Sequence, residues 1–174
     1  MRRFHFLLPA FFLVAGIARA EPIDDANRAF EAGRFEQAAR LLAPLAQHGH
    51  PVAQLRLGIL YFQGSGVKEN ERQAIAWWRR SADQGNLDAM YQLGNAFAFG
   101  NEAAKTVPDP DREAAWWYFQ AASAGHRDAQ YGLALMFLAG KGVIESRAEA
   151  LRWMQRAAEQ GHADARHFVA GSAR

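Results

Sequence analysis

The side chains that could carry out catalysis are few in this chain, and they are not arranged for it. The sequence contains no Cys, and Ser65, Ser123 and Ser146 lie in predicted turns or helix starts, away from any His that could act as a base. The sequence also lacks the motifs of hydrolases, metalloproteases and phosphate-binding loops. We therefore expect that the protein is not an enzyme.

The histidines and aspartates do not predict a metal site. His48 and His50 are two residues apart, with no carboxylate or third ligand at a suitable spacing. We expect neither a metal nor an organic cofactor. Three histidines each follow a glycine that ends a predicted helix, and we interpret their position as a turn that tolerates polar residues: His50, His126 and His162. Three aspartates recur near predicted helix starts, where a carboxylate stabilises the helix dipole; an acidic binding surface is the alternative: Asp88, Asp128 and Asp164.

Most of these residues belong to a segment that occurs three times, at 51–86 (repeat 1), 87–126 (repeat 2) and 127–162 (repeat 3). Repeats 1 and 3 align without a gap, and repeat 2 has four extra residues after Gly100. Each repeat contains two helical patterns and is closed by a glycine. In repeats 1 and 3 a Gly-x-Gly turn, in which glycine accepts a positive φ, joins the two patterns, and Asn70 and Ser146 predict caps for the second helix. Self-similarity at this period is typical of stacked helical repeats.

The shared pattern A-x-x-x-L-G-x-x-Y-x-x-G-x-G-V, followed by A-x-x-W and A-A-x-x-G, resembles the Sel-one-like repeat (SLR) family, which is related to the tetratricopeptide repeat. The resemblance covers nearly all of the chain after residue 20. It implies an all-α fold, a right-handed α/α superhelix (solenoid) of helix pairs. It also implies an adaptor or scaffold. Some secreted members pair cysteines in every repeat and have been linked to penicillin binding or hydrolysis, but this chain has no Cys.

The ends of the array are predicted to be atypical, as expected of capping units. Residues 21–50 form a degenerate first repeat, in which we expect Pro44 to kink or shorten the second helix. Residues 163–174 begin with the pattern of another first helix, and this pattern stops at Gly171. We therefore predict a truncated capping helix.

Residues 1–20 have the features of an export signal. Arg2 and Arg3 precede an apolar stretch, and residues 18–20 fit the small-x-small rule for cleavage. The apolar stretch is short for a membrane span. We expect cleavage after Ala20 and a periplasmic or secreted protein with no stable membrane span; a retained anchor is the alternative.

The basic character of the chain belongs to that segment. The chain has 20 basic and 18 acidic residues, and residues 1–20 hold three Arg and no acidic residue, so the remainder carries one net negative charge. The sequence pI of about 9.2 therefore does not indicate a nucleic-acid partner.

Repeat 2 differs from its neighbours in an insertion around Asn101–Pro110. The prolines exclude a helix until about Asp111, and Asp109 before Pro110 predicts a helix start. Such insertions project from one edge of a solenoid and often hold a partner. A tolerated surface loop is the alternative.

Four of the five tryptophans fall on the apolar stripe of the second helices, where repeated aromatics pack between helices: Trp77, Trp78, Trp117 and Trp153. Trp116 lies a quarter-turn from that stripe, at the position of Ala76 and Arg152 in the other repeats. We expect Trp116 to be exposed and keep it as a candidate ligand contact.

In tetratricopeptide arrays the first helices line a concave groove, and the resemblance implies the same here. The predicted lining consists of Leu55, Ile59, Gln63, Tyr91, Asn95, Phe99, Tyr131 and Leu135. Tyr91, Asn95 and Tyr131 are the preferred contacts, because helix stacking should not require polar aromatics and amides there. A protein partner would bind as an extended peptide or a helix. Two alternatives are a penicillin-interacting or cell-wall-related hydrolase and a purely structural envelope spacer.

Overall fold

The computed structural model describes residues 22–100 and 105–172. The predicted export signal and residues 101–104 of the predicted insertion lie outside these ranges. Within them the chain forms nine α-helices and no strand: α1 (Pro22–Glu31), α2 (Phe35–Gln47), α3 (Pro51–Gln63), α4 (Glu71–Ala82), α5 (Leu87–Phe99), α6 (Pro110–Ser123), α7 (Arg127–Ala139), α8 (Arg147–Glu159) and α9 (Ala163–Ser172).

The helices stack in chain order as antiparallel pairs. Each helix packs against the helices before and after it, and α1 also contacts α3 while α5 contacts α7. Contact between successive first helices is expected when they line the inner side of a curved stack. The all-α solenoid of helix pairs predicted from the repeats is confirmed.

The second helices begin at the predicted caps. The side chains of Asn70 and Asp109 each accept a hydrogen bond from the backbone N–H three residues later, at 3.0 Å, and Ser146 does the same at 3.3 Å. A polar side chain here satisfies an N–H group that has no partner within the helix.

In repeats 1 and 2, an aromatic residue of the second helix packs on a glycine of the first. A Cβ atom added to Gly58 would lie 2.4 Å from Trp78 Nε1, and one added to Gly94 would lie 2.5 Å from Tyr118 Cδ1. The approach is close enough for Trp78 Nε1 to donate to the Leu55 carbonyl at 3.1 Å. All four tryptophans predicted for the core are at most 9% exposed.

Between repeats, the second glycine of the turn packs on the preceding second helix. Gly66 and Gly142 have φ angles of 69° and 65°, the left-handed conformation predicted for such turns. A Cβ atom at Gly66 would lie 2.3 Å from the Phe35 carbonyl carbon, and one at Gly142 would lie 2.1 Å from the Asp111 carbonyl oxygen. Glycine is therefore needed there for space as well as for backbone conformation.

The helix ends differ from the sequence prediction at two places. Helix α2 runs through Pro44 to Gln47, so Pro44 does not shorten it. Pro44 is exposed, and water can satisfy the one carbonyl that loses its intrahelical bond. Helix α9 continues through Gly171 to Ser172, because one glycine lowers helix propensity by only about 1 kcal/mol.

Candidate partner-binding site

The predicted groove residues share one side of the first helices. They lie four residues apart on each helix, a spacing that places side chains above one another. With Ala139, which completes the pattern, they form what we call the first-helix face: Leu55, Ile59 and Gln63 on α3, Tyr91, Asn95 and Phe99 on α5, and Tyr131, Leu135 and Ala139 on α7. None of the nine residues is charged.

Exposure on this face increases toward the C-terminal ends of the helices. Leu55 is buried, and the other residues in the first two positions of each helix are half-buried, apart from Leu135. Phe99 is 80% exposed and Leu135 is 41% exposed. Gln63 and Ala139 are also exposed.

The two tyrosines of the face stack on the histidines that come just before the next first helix. The ring centroids of Tyr91 and His126 are 4.9 Å apart, and those of Tyr131 and His162 are 4.2 Å apart. His126 Nδ1 accepts the backbone N–H of Ala129 at 3.1 Å. We call each arrangement of a tyrosine, an aspartate and a capping histidine a histidine clasp.

The aspartate of each clasp lies three residues before its tyrosine. Asp88 Oδ1 is 3.0 Å from His126 Nε2, and Asp128 Oδ1 is 4.0 Å from His162 Nε2. Because Nδ1 of His126 accepts a hydrogen bond, the proton of the neutral ring is on Nε2 and points at the carboxylate. Arg127 donates to Asp128 at 2.7 Å, and this bond holds the pKa of Asp128 below its usual value. The carboxylate therefore stays charged at neutral pH.

The interpretation of the histidine position as a tolerant turn is incomplete, because these residues cap the first helices. His50 and His162 accept the N–H three residues later at 3.5 and 3.4 Å, and Asn86 does so at 3.1 Å. The sequence does indicate this role, because Asn86 occupies the position equivalent to these histidines and Asn is a preferred N-cap residue. The aspartate–histidine contact had no such signal, because its partners are 34 to 38 residues apart.

Asn95 also has a role inside the array. Its Oδ1 accepts the hydroxyl of Tyr118 at 2.6 Å. Tyr118 is 3% exposed, and burial, followed by the proximity of Tyr91, raises the pKa of its hydroxyl. The three residues preferred as partner contacts therefore all make contacts within the array, contrary to the expectation that helix stacking would not require them. Their outer surfaces remain part of the first-helix face.

Trp116 lies elsewhere, on α6. It is 49% exposed, and its ring meets Trp117 edge-on at 4.4 Å between centroids. It borders a cavity of about 700 Å³ that is also lined by Val107 and Pro108, from the end of the predicted insertion. The structure therefore brings Trp116 and that segment together, away from the first-helix face.

The part of the chain that the structure describes shows no group of three or more His, Asp or Glu side chains arranged to hold a metal ion. Within the same residues, none of the helices combines the length and the apolar composition needed to cross a membrane.

The fold and this face define the class of helical-repeat proteins. The Sel1 repeat model matches residues 51–86, 87–126 and 127–162, which is more than half of the chain. The chain belongs to the Sel1 repeat family.

Solved structures show the same fold. A Sel1 repeat protein from Oxalobacter formigenes is 31% identical with a TM-score of 0.74, over 83% of this chain and 58% of that one. A protective antigen of uropathogenic Escherichia coli strains with an SLR fold is 28% identical with a TM-score of 0.73, over 86% of this chain and 33% of that one. Cysteine-rich protein B of Helicobacter pylori is 19% identical with a TM-score of 0.54, over 83% of this chain and 94% of that one, and it shows the fold alone.

The chain spans between a third and three-fifths of the first two of these proteins. No curated protein matches it. Sel1 repeat proteins are generally protein-interaction scaffolds, typically non-catalytic. The family does not identify the partner or the surface that binds it, so both have to be inferred from the residues of this chain.

The cap at His126 leads to a first prediction. His126→Ala removes the acceptor of the Ala129 N–H and should lower the free energy of unfolding by about 0.5–2 kcal/mol. His126→Asn should lower it less, because Asn86 makes the same cap in repeat 2. Urea unfolding followed by circular dichroism measures both, with the exposed His167→Ala as control. Equal losses for Ala and Asn would contradict the capping role.

A double-mutant cycle tests the structural role of Asn95. Leu135 and Met154 occupy the positions of Asn95 and Tyr118 in repeat 3, so the double variant Asn95→Leu, Tyr118→Met copies a pairing that this fold accepts. Asn95→Leu alone leaves the buried Tyr118 hydroxyl without its acceptor and should cost about 1–3 kcal/mol. In the Tyr118→Met background the cost should largely vanish. Additive effects in urea unfolding would mean that the bond contributes nothing.

Proposed function

We propose that the first-helix face binds a protein partner, as an extended peptide or a helix, and that the chain acts as a non-catalytic interaction module. The observation that carries this proposal is the absence of charge from all nine positions of the face, although 22% of the residues in the chain are charged. A partly exposed, uncharged stripe across three successive first helices is typical of the core of a protein interface.

The exposed apolar residues of the face are not needed for stacking. Phe99 occupies the position of Gln63 and Ala139, and Leu135 occupies that of Asn95. The fold therefore accepts a polar or a small residue at the position of Phe99, and Leu135 is 41% exposed. Because Phe99 is 80% exposed, its ring contributes little to the array and is available to a partner.

The clasps hold the tyrosines at the N-terminal end of the face in place. Tyr91 and Tyr131 are each held against a histidine ring on one side, so binding would cost little side-chain entropy. Preorganised aromatic side chains are common among the residues that dominate binding energy. Gln63 adds an exposed amide that can bond to a peptide backbone.

We also propose that the chain is exported and works in the periplasm or outside the cell. The support is the basic head, the apolar stretch and the small-x-small sequence of residues 1–20.

The binding face is tested by crosslinking capture from a native envelope fraction. Two variants replace an exposed apolar residue by the residue of a sister repeat: Phe99→Gln, copying Gln63, and Leu135→Asn, copying Asn95. We expect each variant to keep its melting temperature within a few degrees and to capture at least tenfold less of the wild-type partner.

A matched control lies outside the face. Ile144 is 89% exposed, and Ile144→Lys copies Lys68 of repeat 1. This variant should capture the same partner as the wild type. Equal capture by all variants would place the site elsewhere, and no capture by the wild type would favour the structural spacer.

Export has a separate test. The chain recovered from the envelope fraction of cells that express the full sequence should begin at Glu21 when its N-terminus is determined by mass spectrometry. Recovery of a chain beginning at Met1 in the membrane fraction would support a retained anchor instead, and recovery from the cytoplasm would contradict export.

A further inference from the structure

The stack forms a cavity where a second helix meets the first helix and the glycine turn of the next unit. One such junction cavity, of about 410 Å³, lies between α2 and α3, and another, of about 220 Å³, lies between α6 and α7. Their shared walls occupy equivalent positions, with Leu57 and Val67 in the first and Leu133 and Val143 in the second. The cavity is therefore a product of repeat geometry, and its chemistry depends on the variable positions.

Three variable positions on the second helix give the two cavities different chemistry. They are Glu36, Arg40 and Ala43 in the α2–α3 cavity, and Arg112, Trp116 and Phe119 in the α6–α7 cavity. In the α6–α7 cavity Trp116 and Phe119 are 49% and 48% exposed, and Phe137 adds a third aromatic wall. This cavity is almost wholly apolar, with Arg112 as its one charged lining residue.

The fold does not demand aromatics at these positions. The residues equivalent to Trp116 and Phe119 are Ala76 and Arg79 in α4, and Arg152 and Gln155 in α8. Phe119 meets Trp153 edge-on at 6.2 Å between ring centroids, a contact that still leaves about half of its side chain in water. Exposed aromatic surface that the sister repeats do without indicates a site of interaction.

Arg112 is the cation available at the rim of this cavity. Among residues 22–100 and 105–172, its guanidinium has no carboxylate within ion-pair distance. Two of the carboxylates nearby in sequence have other contacts, since Asp109 caps α6 and Glu113 accepts the Trp117 indole N–H at 3.0 Å and lies 3.6 Å from Arg79. Arg112 and Trp116 lie four residues apart, on one side of α6.

We propose that the α6–α7 cavity is a second binding site, separate from the first-helix face, for a peptide segment of a partner protein that carries a large apolar side chain beside a carboxylate. The apolar side chain enters between Trp116, Phe119 and Phe137. The neighbouring carboxylate pairs with Arg112, whose fork of N–H donors matches its two oxygens. Aromatic and arginine side chains together are the usual anchors of such contacts.

The test measures fluorescence polarisation of labelled peptides with the full chain. In the first peptide set a central Phe or Leu is flanked by Asp or Glu; in the matched sets the flanks are Lys or Ser. We expect the acidic set to bind at least tenfold more tightly than either other set. Trp116→Ala, which copies Ala76, and Arg112→Ala, which copies Ala148, should each weaken binding at least tenfold without changing the melting temperature by more than a few degrees.

The matched control is Arg40→Ala, at the position of Trp116 in the α2–α3 cavity, which should leave binding unchanged. Preference for the basic set, no binding by any set, or binding unaffected by Trp116→Ala would each overturn the proposal. So would a concentration-dependent dimer in sedimentation that Trp116→Ala abolishes, because the cavity would then hold a second copy of the chain.

Discussion

The helix pairs depend on one close contact, between an aromatic side chain of the second helix and a glycine of the first. Trp78 on Gly58 and Tyr118 on Gly94 leave no room for even a Cβ atom, so the two helices of each of these pairs approach closely at this point. In repeat 3 the same contact positions hold Ala134 and the flexible Met154, both buried. The stack buries its apolar residues in two clusters without disulfides, because the apolar stripe of each helix is covered by its neighbours.

The junctions between pairs are held by packing contacts that recur with the repeats. The second turn glycine rests on the backbone at the start of the preceding second helix, and the capping histidines stack on tyrosines of the preceding first helix. These contacts hold the first-helix face at the N-terminal ends of α5 and α7 and leave its residues at the C-terminal ends exposed. They also explain why the tyrosines of that face have a structural role and a surface that can be offered to a partner.

Internal repetition separates what the fold requires from what it merely permits. Where equivalent positions hold Gln, Phe and Ala, as at 63, 99 and 139, packing imposes no residue type, and an exposed Phe calls for a functional explanation. The same comparison marks Trp116 and Phe119 on α6. The two surfaces differ in chemistry, since the first-helix face is uncharged and the α6–α7 cavity has an arginine at its rim, so they suit different segments of a partner.

The sequence by itself determined the repeat frame, the two helices of each pair, the N-caps of the second helices and the four core tryptophans. These features depend on residue spacing within a single repeat. It did not determine the contacts of His126 with Tyr91 and Asp88, the hydrogen bond between Asn95 and Tyr118, or the α6–α7 cavity beside Trp116. Each of these joins residues of different helices or repeats, 10 or more positions apart. Such pairs meet only through the angle and separation at which the helices stack, and tertiary packing sets both quantities.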